Sequence, residues 1–66
     1  MTFSEALTSA QEKMGWSNAK VAAEVGVNEA TVHRWKAEGF EPRLKQYLSL
    51  RANLPGFAKL MDRRAA

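Results

Sequence analysis

The chain has no cysteine, a single histidine, and no apolar run long enough to cross a membrane or serve as a signal-peptide core. Without cysteine, neither disulfides nor thiolate zinc sites can reinforce the core, and a reducing compartment, the cytoplasm, is expected. The lone His33 leaves no cluster of metal ligands and no Ser/His/Asp arrangement to build around it. No acid pair stands out either, so neither an enzyme nor a metal or organic cofactor is expected. The four glycines stand singly at the ends of helical patterns, which excludes a phosphate-cradling glycine loop. No stretch alternates apolar and polar residues well enough to make a strand. The amino terminus is polar and amphipathic with no basic start, so export and membrane anchoring are not expected. What remains is an all-α protein of 66 residues, read as one domain over residues 1–66, which buries only about 60% of the surface its unfolded chain exposes.

The net charge is +3, with an isoelectric point near 9.7, but the excess is unevenly spread. Residues 1–15 set Lys13 against Glu5 and Glu12; residues 16–40 balance Lys20, Arg34 and Lys36 against Glu24, Glu29 and Glu38. The positive excess therefore lies beyond residue 40, where Arg43, Lys45, Arg51, Lys59, Arg63 and Arg64 face only Glu41 and Asp62. A basic tail alone says little about a polyanion partner, so the geometry of the helices has to carry the reading.

Five helices are predicted. Thr2 and Glu5 have capping-box spacing, and Phe3, Ala6, Leu7, Ala10 and Met14 repeat at helical intervals up to Gly15. Ser17 is an N-cap, with Trp16 placed to staple onto Val21, and the second helix covers Asn18 to Val25. Gly26 supplies a left-handed residue, and Asn28 caps a third helix that ends by Gly39. Phe40, Glu41 and Pro42 make a connection, and a fourth helix follows over Arg43 to Ala52 with Leu44, Tyr47 and Leu48 turned to the core. Asn53, Leu54, Pro55 and Gly56 break the pattern before a short fifth helix carrying Leu54, Phe57, Ala58, Leu60 and Met61, with fraying expected from Asp62. Trp16 and Trp35 are expected in the core.

Residues 18–37 carry the function. Ala22 is small where two helices must cross closely, Gly26 turns the chain, and Val21, Val25, Val27, Val32 and Trp35 fall where an angled pair needs apolar contacts. That is the pattern of a helix-turn-helix, formed here by the second and third helices of a compact five-helix bundle. On a helical wheel Val32 and Trp35 share one side of the third helix, and Ala30, His33, Arg34 and Ala37 lie opposite. A recognition helix presents such a face to the major groove of double-stranded DNA. Asn28, Glu29, Ala30, His33 and Arg34 are the candidate base contacts: Ala30 allows approach to a thymine methyl, Glu29 can accept from a cytosine amine, and the Arg34 fork matches the two acceptors of guanine. Phosphate contacts are expected from helix amino termini and nearby polar groups, at Ser17, Asn18, Lys20 and Thr31 and at Arg43 and Lys45.

These residues resemble the Cro/cI family of phage and bacterial repressors, whose all-helical domain places the helix-turn-helix in its second and third helices. Ala22, Gly26, Val32 and Trp35 match the framework, and the resemblance extends to the first helix, the Pro42-Arg43 start of the fourth and a short last helix. It implies base contacts at Asn28, Glu29, Ala30 and Arg34, phosphate contacts at Asn18 and Arg43, and a dimer on a palindromic operator. The stretch GVNEATVHRWKAEGFEP is also similar to the phage cII activators, so repression and activation both stay open.

No separate oligomerisation domain is expected, so a weak dimer contact is expected at Leu54, Phe57 and Leu60 of the fifth helix, assembled on DNA. Two other readings stand beside this one. TVHRWKAEGFEP resembles excisionase-like and MerR-like winged helices, which bend DNA but need a β-hairpin wing after the proline. A small protein-binding module that neutralises another regulator would fit the zero net charge of residues 16–40.

Overall fold

In the computed structural model, residues 2–37 and 41–63 are described. They form α1 (Phe3–Met14), α2 (Asn18–Val25), α3 (Glu29–Ala37), α4 (Leu44–Asn53) and α5 (Phe57–Arg63), with no strand among them. The expected stop at Gly39 and Phe40 and the tail from Arg64 fall outside the described residues.

Local signals set the first three helices. Thr2 Oγ1 accepts from the Glu5 amide at 3.1 Å while Glu5 Oε1 accepts from the Thr2 amide at 2.8 Å, closing the capping box. This hydrogen bonding holds the Glu5 carboxyl below its ordinary pKa. Ser17 accepts from the Lys20 amide at 3.1 Å and starts α2, and Asn28 Oδ1 accepts from the Thr31 amide at 3.1 Å and starts α3. Between them Gly26 sits at φ 85° and donates its amide to the Ala22 carbonyl at 2.9 Å, so α2 ends where only glycine is unstrained.

The core is held by an edge-to-face chain of aromatic rings. Trp35 of α3 meets Phe3 of α1 at 5.9 Å between centroids, Phe3 meets Phe57 of α5 at 5.7 Å, and Phe57 meets Tyr47 of α4 at 5.9 Å. Ala6, Leu7, Ala10, Val21, Ala22, Val32, Leu50, Leu54 and Leu60 fill the space around it. Helix α1 packs on α3 and α5, α2 on α3 and α4, and α4 on α5. Ser49 donates its hydroxyl to the Val25 carbonyl at 3.2 Å, so α4 satisfies an orphan acceptor at the end of α2.

Four expectations are corrected. Leu44 and Leu48 do not enter the core: they are 72% and 54% exposed, and Leu50, from the neighbouring stripe of α4, is buried instead. Met14 is exposed, and Gln11 takes the buried position on that side of α1. Trp16 is only half-buried, packing on the edge of the core with Lys20 5.2 Å above its ring. Helix α5 runs on through Asp62, whose carboxylate takes both arms of the Arg51 guanidinium at 3.0 and 3.2 Å. That pair holds the stretch where fraying is expected from sequence.

A Cβ added at Gly26 meets nothing within 4 Å, so only backbone strain opposes a larger residue there. Gly26→Ala should therefore cost about 1–2 kcal/mol, the left-handed penalty for an L-residue. In a domain of this size each kcal/mol lowers the melting temperature by roughly 4–8 °C, which thermal unfolding by circular dichroism reads.

Candidate nucleic-acid interface

Burying Val32 and Trp35 fixes the rotation of α3, since these two are 0% and 3% exposed. Glu29, Ala30, His33, Arg34 and Ala37 are consequently presented to solvent. The surface is smooth at Ala30 and Ala37 and carries one long cation, Arg34, which makes no ion pair among the described residues. The small side chains let a backbone approach this face closely, beside the planar guanidinium fork of Arg34.

Beside it, a depression of about 490 Å³ is lined by Thr31, Arg34 and Trp35 from α3 and by Glu41, Arg43 and Gln46 from the start of α4. Gln46 Oε1 accepts from the Arg43 amide at 3.1 Å, which fixes the amino-terminal turn of α4 at the edge of this depression. The structure thus brings Arg34 and Arg43, separated in sequence, to one cleft. Lys45 lies exposed on the first turn of α4.

Other candidates have internal partners. Asn28 Oδ1 accepts from both the amide and the hydroxyl of Thr31, each at 3.1 Å, so both side chains serve the cap of α3. Lys20 bridges Glu24 at 2.9 Å, an exposed pair one turn apart, and such pairs contribute little and exchange readily for a phosphate. Glu29 Oε1 lies 3.9 Å from His33 Nε2 along the helix. The amide of Asn18 is engaged on both sides. Its Oδ1 accepts from Gln11 Nε2 at 2.9 Å and from Lys36 Nζ at 3.1 Å, and its Nδ2 lies 3.3 Å from His33 Nε2 and 3.5 Å from Nδ1.

Sequence reasoning misses Gln11 and Lys36. For Gln11 a signal exists, a polar residue on the apolar stripe of α1; Lys36 meets a partner 18 positions away, which no local pattern announces. Lys36 is anchored twice, because its backbone carbonyl also accepts from Ser4 Oγ at 3.0 Å.

The expected dimer contacts do not survive. Leu54, Phe57 and Leu60 are 1%, 0% and 6% exposed, all turned inward to close the core against α1 and α4, and they have no surface to give a partner. The winged readings lack their wing, since α4 occupies the stretch after Pro42 and the described residues contain no strand.

No helix among the described residues is long and apolar enough to cross a membrane. No curated protein and no solved structure matches the chain. The Homeodomain-like domain family matches residues 5–44, which run from the first turn of α1 through the turn and α3 to the first residue of α4. The matched span encloses the three-helix unit in which the third helix reads DNA in homeodomains. The chain belongs to the Homeodomain-like family of helix-turn-helix DNA-binding domains.

Proposed function

We propose that the protein is a cytoplasmic, sequence-specific transcriptional regulator of the Cro-like kind, reading the major groove with α3. The observation that carries this reading is the outer face of α3, small at Ala30 and Ala37, with an Arg34 that makes no ion pair among the described residues and shares a cleft with Arg43. Arg34 reads a guanine, and Arg43, at the amino terminus of α4, takes a phosphate of the flanking backbone. Lys20 and the free amides at the start of α2 hold the other side of the groove.

Two copies occupy a palindromic operator, with half-site centres about one helical turn (~34 Å) apart. With α5 turned inward, the pairing surface moves to α4, where Leu44 and Leu48 stand one turn apart and exposed, directly after the DNA-facing Arg43. Glu41 and Lys45, of opposite sign and with no ion pair among the described residues, lie next to these leucines in the chain and suit a second copy of the same surface. A patch of this size is far below the roughly 1,000 Å² of a stable interface, and each copy carries +3, so pairing waits for the duplex to bring and neutralise both.

Selection of bound sequences from a random duplex pool, repeated at two salt concentrations, tests the reading. A preferred site should emerge, with log K falling against log salt by about 0.9 for each phosphate neutralised; binding indifferent to salt and sequence would contradict it. On that site Arg34→Ala should cost about 1–3 kcal/mol and relax the preference at one base pair of each half-site. Equal weakening on every sequence would make Arg34 a phosphate contact.

The double variant Leu44→Gln/Leu48→Gln should bind an isolated half-site as the parent does and melt within a few degrees of it, since both positions are exposed. Its gain on the full two-fold site should disappear in a stoichiometric titration. Retention of the full gain would place the pairing surface elsewhere.

A further inference from the structure

Asn18 stands at the start of α2, where a polar side chain would ordinarily be read as a phosphate ligand, yet the structure gives its amide three internal partners. The donor chemistry orients the whole network. Lys36 has only donors, so the Asn18 atom 3.1 Å from Nζ is the oxygen. Gln11 Nε2 donates to that same oxygen at 2.9 Å and to the Trp16 carbonyl at 3.2 Å, both acceptors, so its amide cannot be turned over. The Asn18 nitrogen then faces the His33 ring, 3.3 Å from Nε2 and 3.5 Å from Nδ1. Gln11 is 4% exposed, and its Oε1 has no partner. An apolar side chain of similar length would avoid burying that oxygen, and what the glutamine adds in exchange is its pair of donated bonds.

From this geometry we infer that Asn18 is a positioning residue for base reading. It ties Gln11 of α1 to Lys36 and His33 of α3, and thereby sets the angle at which α3, with Arg34 between its two tethered residues, meets the groove. Lys36 is pinned at its other end by Ser4, so the carboxy-terminal half of α3 is held from both α1 and α2. The inference rests on the DNA reading above and changes the part Asn18 plays in it: its side chain contributes to specificity through α3, and only its backbone amide is left for a phosphate.

The test measures affinity for the selected duplex and for a scrambled duplex, the salt slope and the melting temperature for each variant. Asn18→Ala and Lys36→Met should each lower the ratio of the two affinities on the order of tenfold, because Arg34 loses its register against the base. The pair together should lose no more than either alone, since both cut one connection. Gln11→Met removes the orphaned oxygen, which offsets the loss of its donated bond to the Trp16 carbonyl, and should melt within a few degrees of the parent while its affinity ratio still falls, a result that a merely structural role does not produce. Asn18→Asp keeps the acceptor for Gln11 and Lys36 and should hold the ratio near the parent value, even as added charge weakens binding to both duplexes alike.

If Asn18→Ala leaves the ratio intact and lowers the salt slope by about 0.9, Asn18 is a phosphate ligand and the inference is overturned. If melting falls while the ratio and slope stay put, the network only stabilises the fold, and the inference is again overturned. A parent protein with no preference among duplexes would remove the DNA reading itself, and the inference with it, an outcome seen before any variant is made.

Discussion

Phe3 meets Trp35 on one side and Phe57 on the other, and this edge-to-face contact decides how the remaining helices sit. Through Trp35 it draws the inner face of α3 against α1; through Phe57 and Tyr47 it draws α5 and α4 into the same core. A domain of this length buries little surface per residue, so one aromatic chain spanning four helices supplies a large share of what is buried. Once Trp35 and Val32 point inward, the opposite side of α3 has no freedom to turn. The outward presentation of Ala30, His33 and Arg34 is thus a consequence of core packing.

Polar contacts reinforce the same end of α3 that Trp35 ties into the aromatic chain. Ser4 holds the Lys36 carbonyl and Asn18 holds the Lys36 ammonium, which prevents the last turn from swinging away from α1 and α2. The electrostatics are divided in a similar way. The helix-turn-helix itself is neutral over residues 16–40, and the positive excess is carried beyond residue 40. Arg34 supplies the charge on the outer face of α3, while Arg43 brings the basic character of that later stretch to the cleft beside it. In the proposed reading, attraction to phosphate and discrimination between bases fall to different helices meeting at one cleft.

Much of the fold can be read from the sequence because its first three helices are bounded by local chemistry. Thr2 with Glu5, Ser17, Gly26 and Asn28 each act within four residues, and each is found in the role its type implies. Helix α4 is harder, because Leu44, Tyr47, Leu48, Leu50 and Leu54 supply two overlapping apolar stripes and a wheel cannot choose between them. The choice is made by partners far away in sequence: Phe57 takes Tyr47, and the Val25 carbonyl takes Ser49, which turns Leu50 inward and leaves Leu44 and Leu48 outside. The same packing turns Leu54, Phe57 and Leu60 to the core, where an isolated reading of α5 spares part of them for a partner. At the interface, the outward residues of α3 follow from periodicity, whereas the Gln11–Asn18–Lys36 connection joins three helices and has no sequence period to betray it.

The central claim is that α3, flanked by the amino termini of α2 and α4, is the surface that meets DNA. Amide chemical-shift mapping of the ¹⁵N-labelled protein titrated with a short duplex tests it most directly, and it needs no knowledge of the operator because phosphate contacts form on any sequence. The largest changes are predicted at Ser17 to Lys20, at Ala30, His33 and Arg34, and at Arg43 and Lys45, with Phe57 to Leu60 unmoved. Changes centred on Ala52 and α5 with α3 silent would contradict the account.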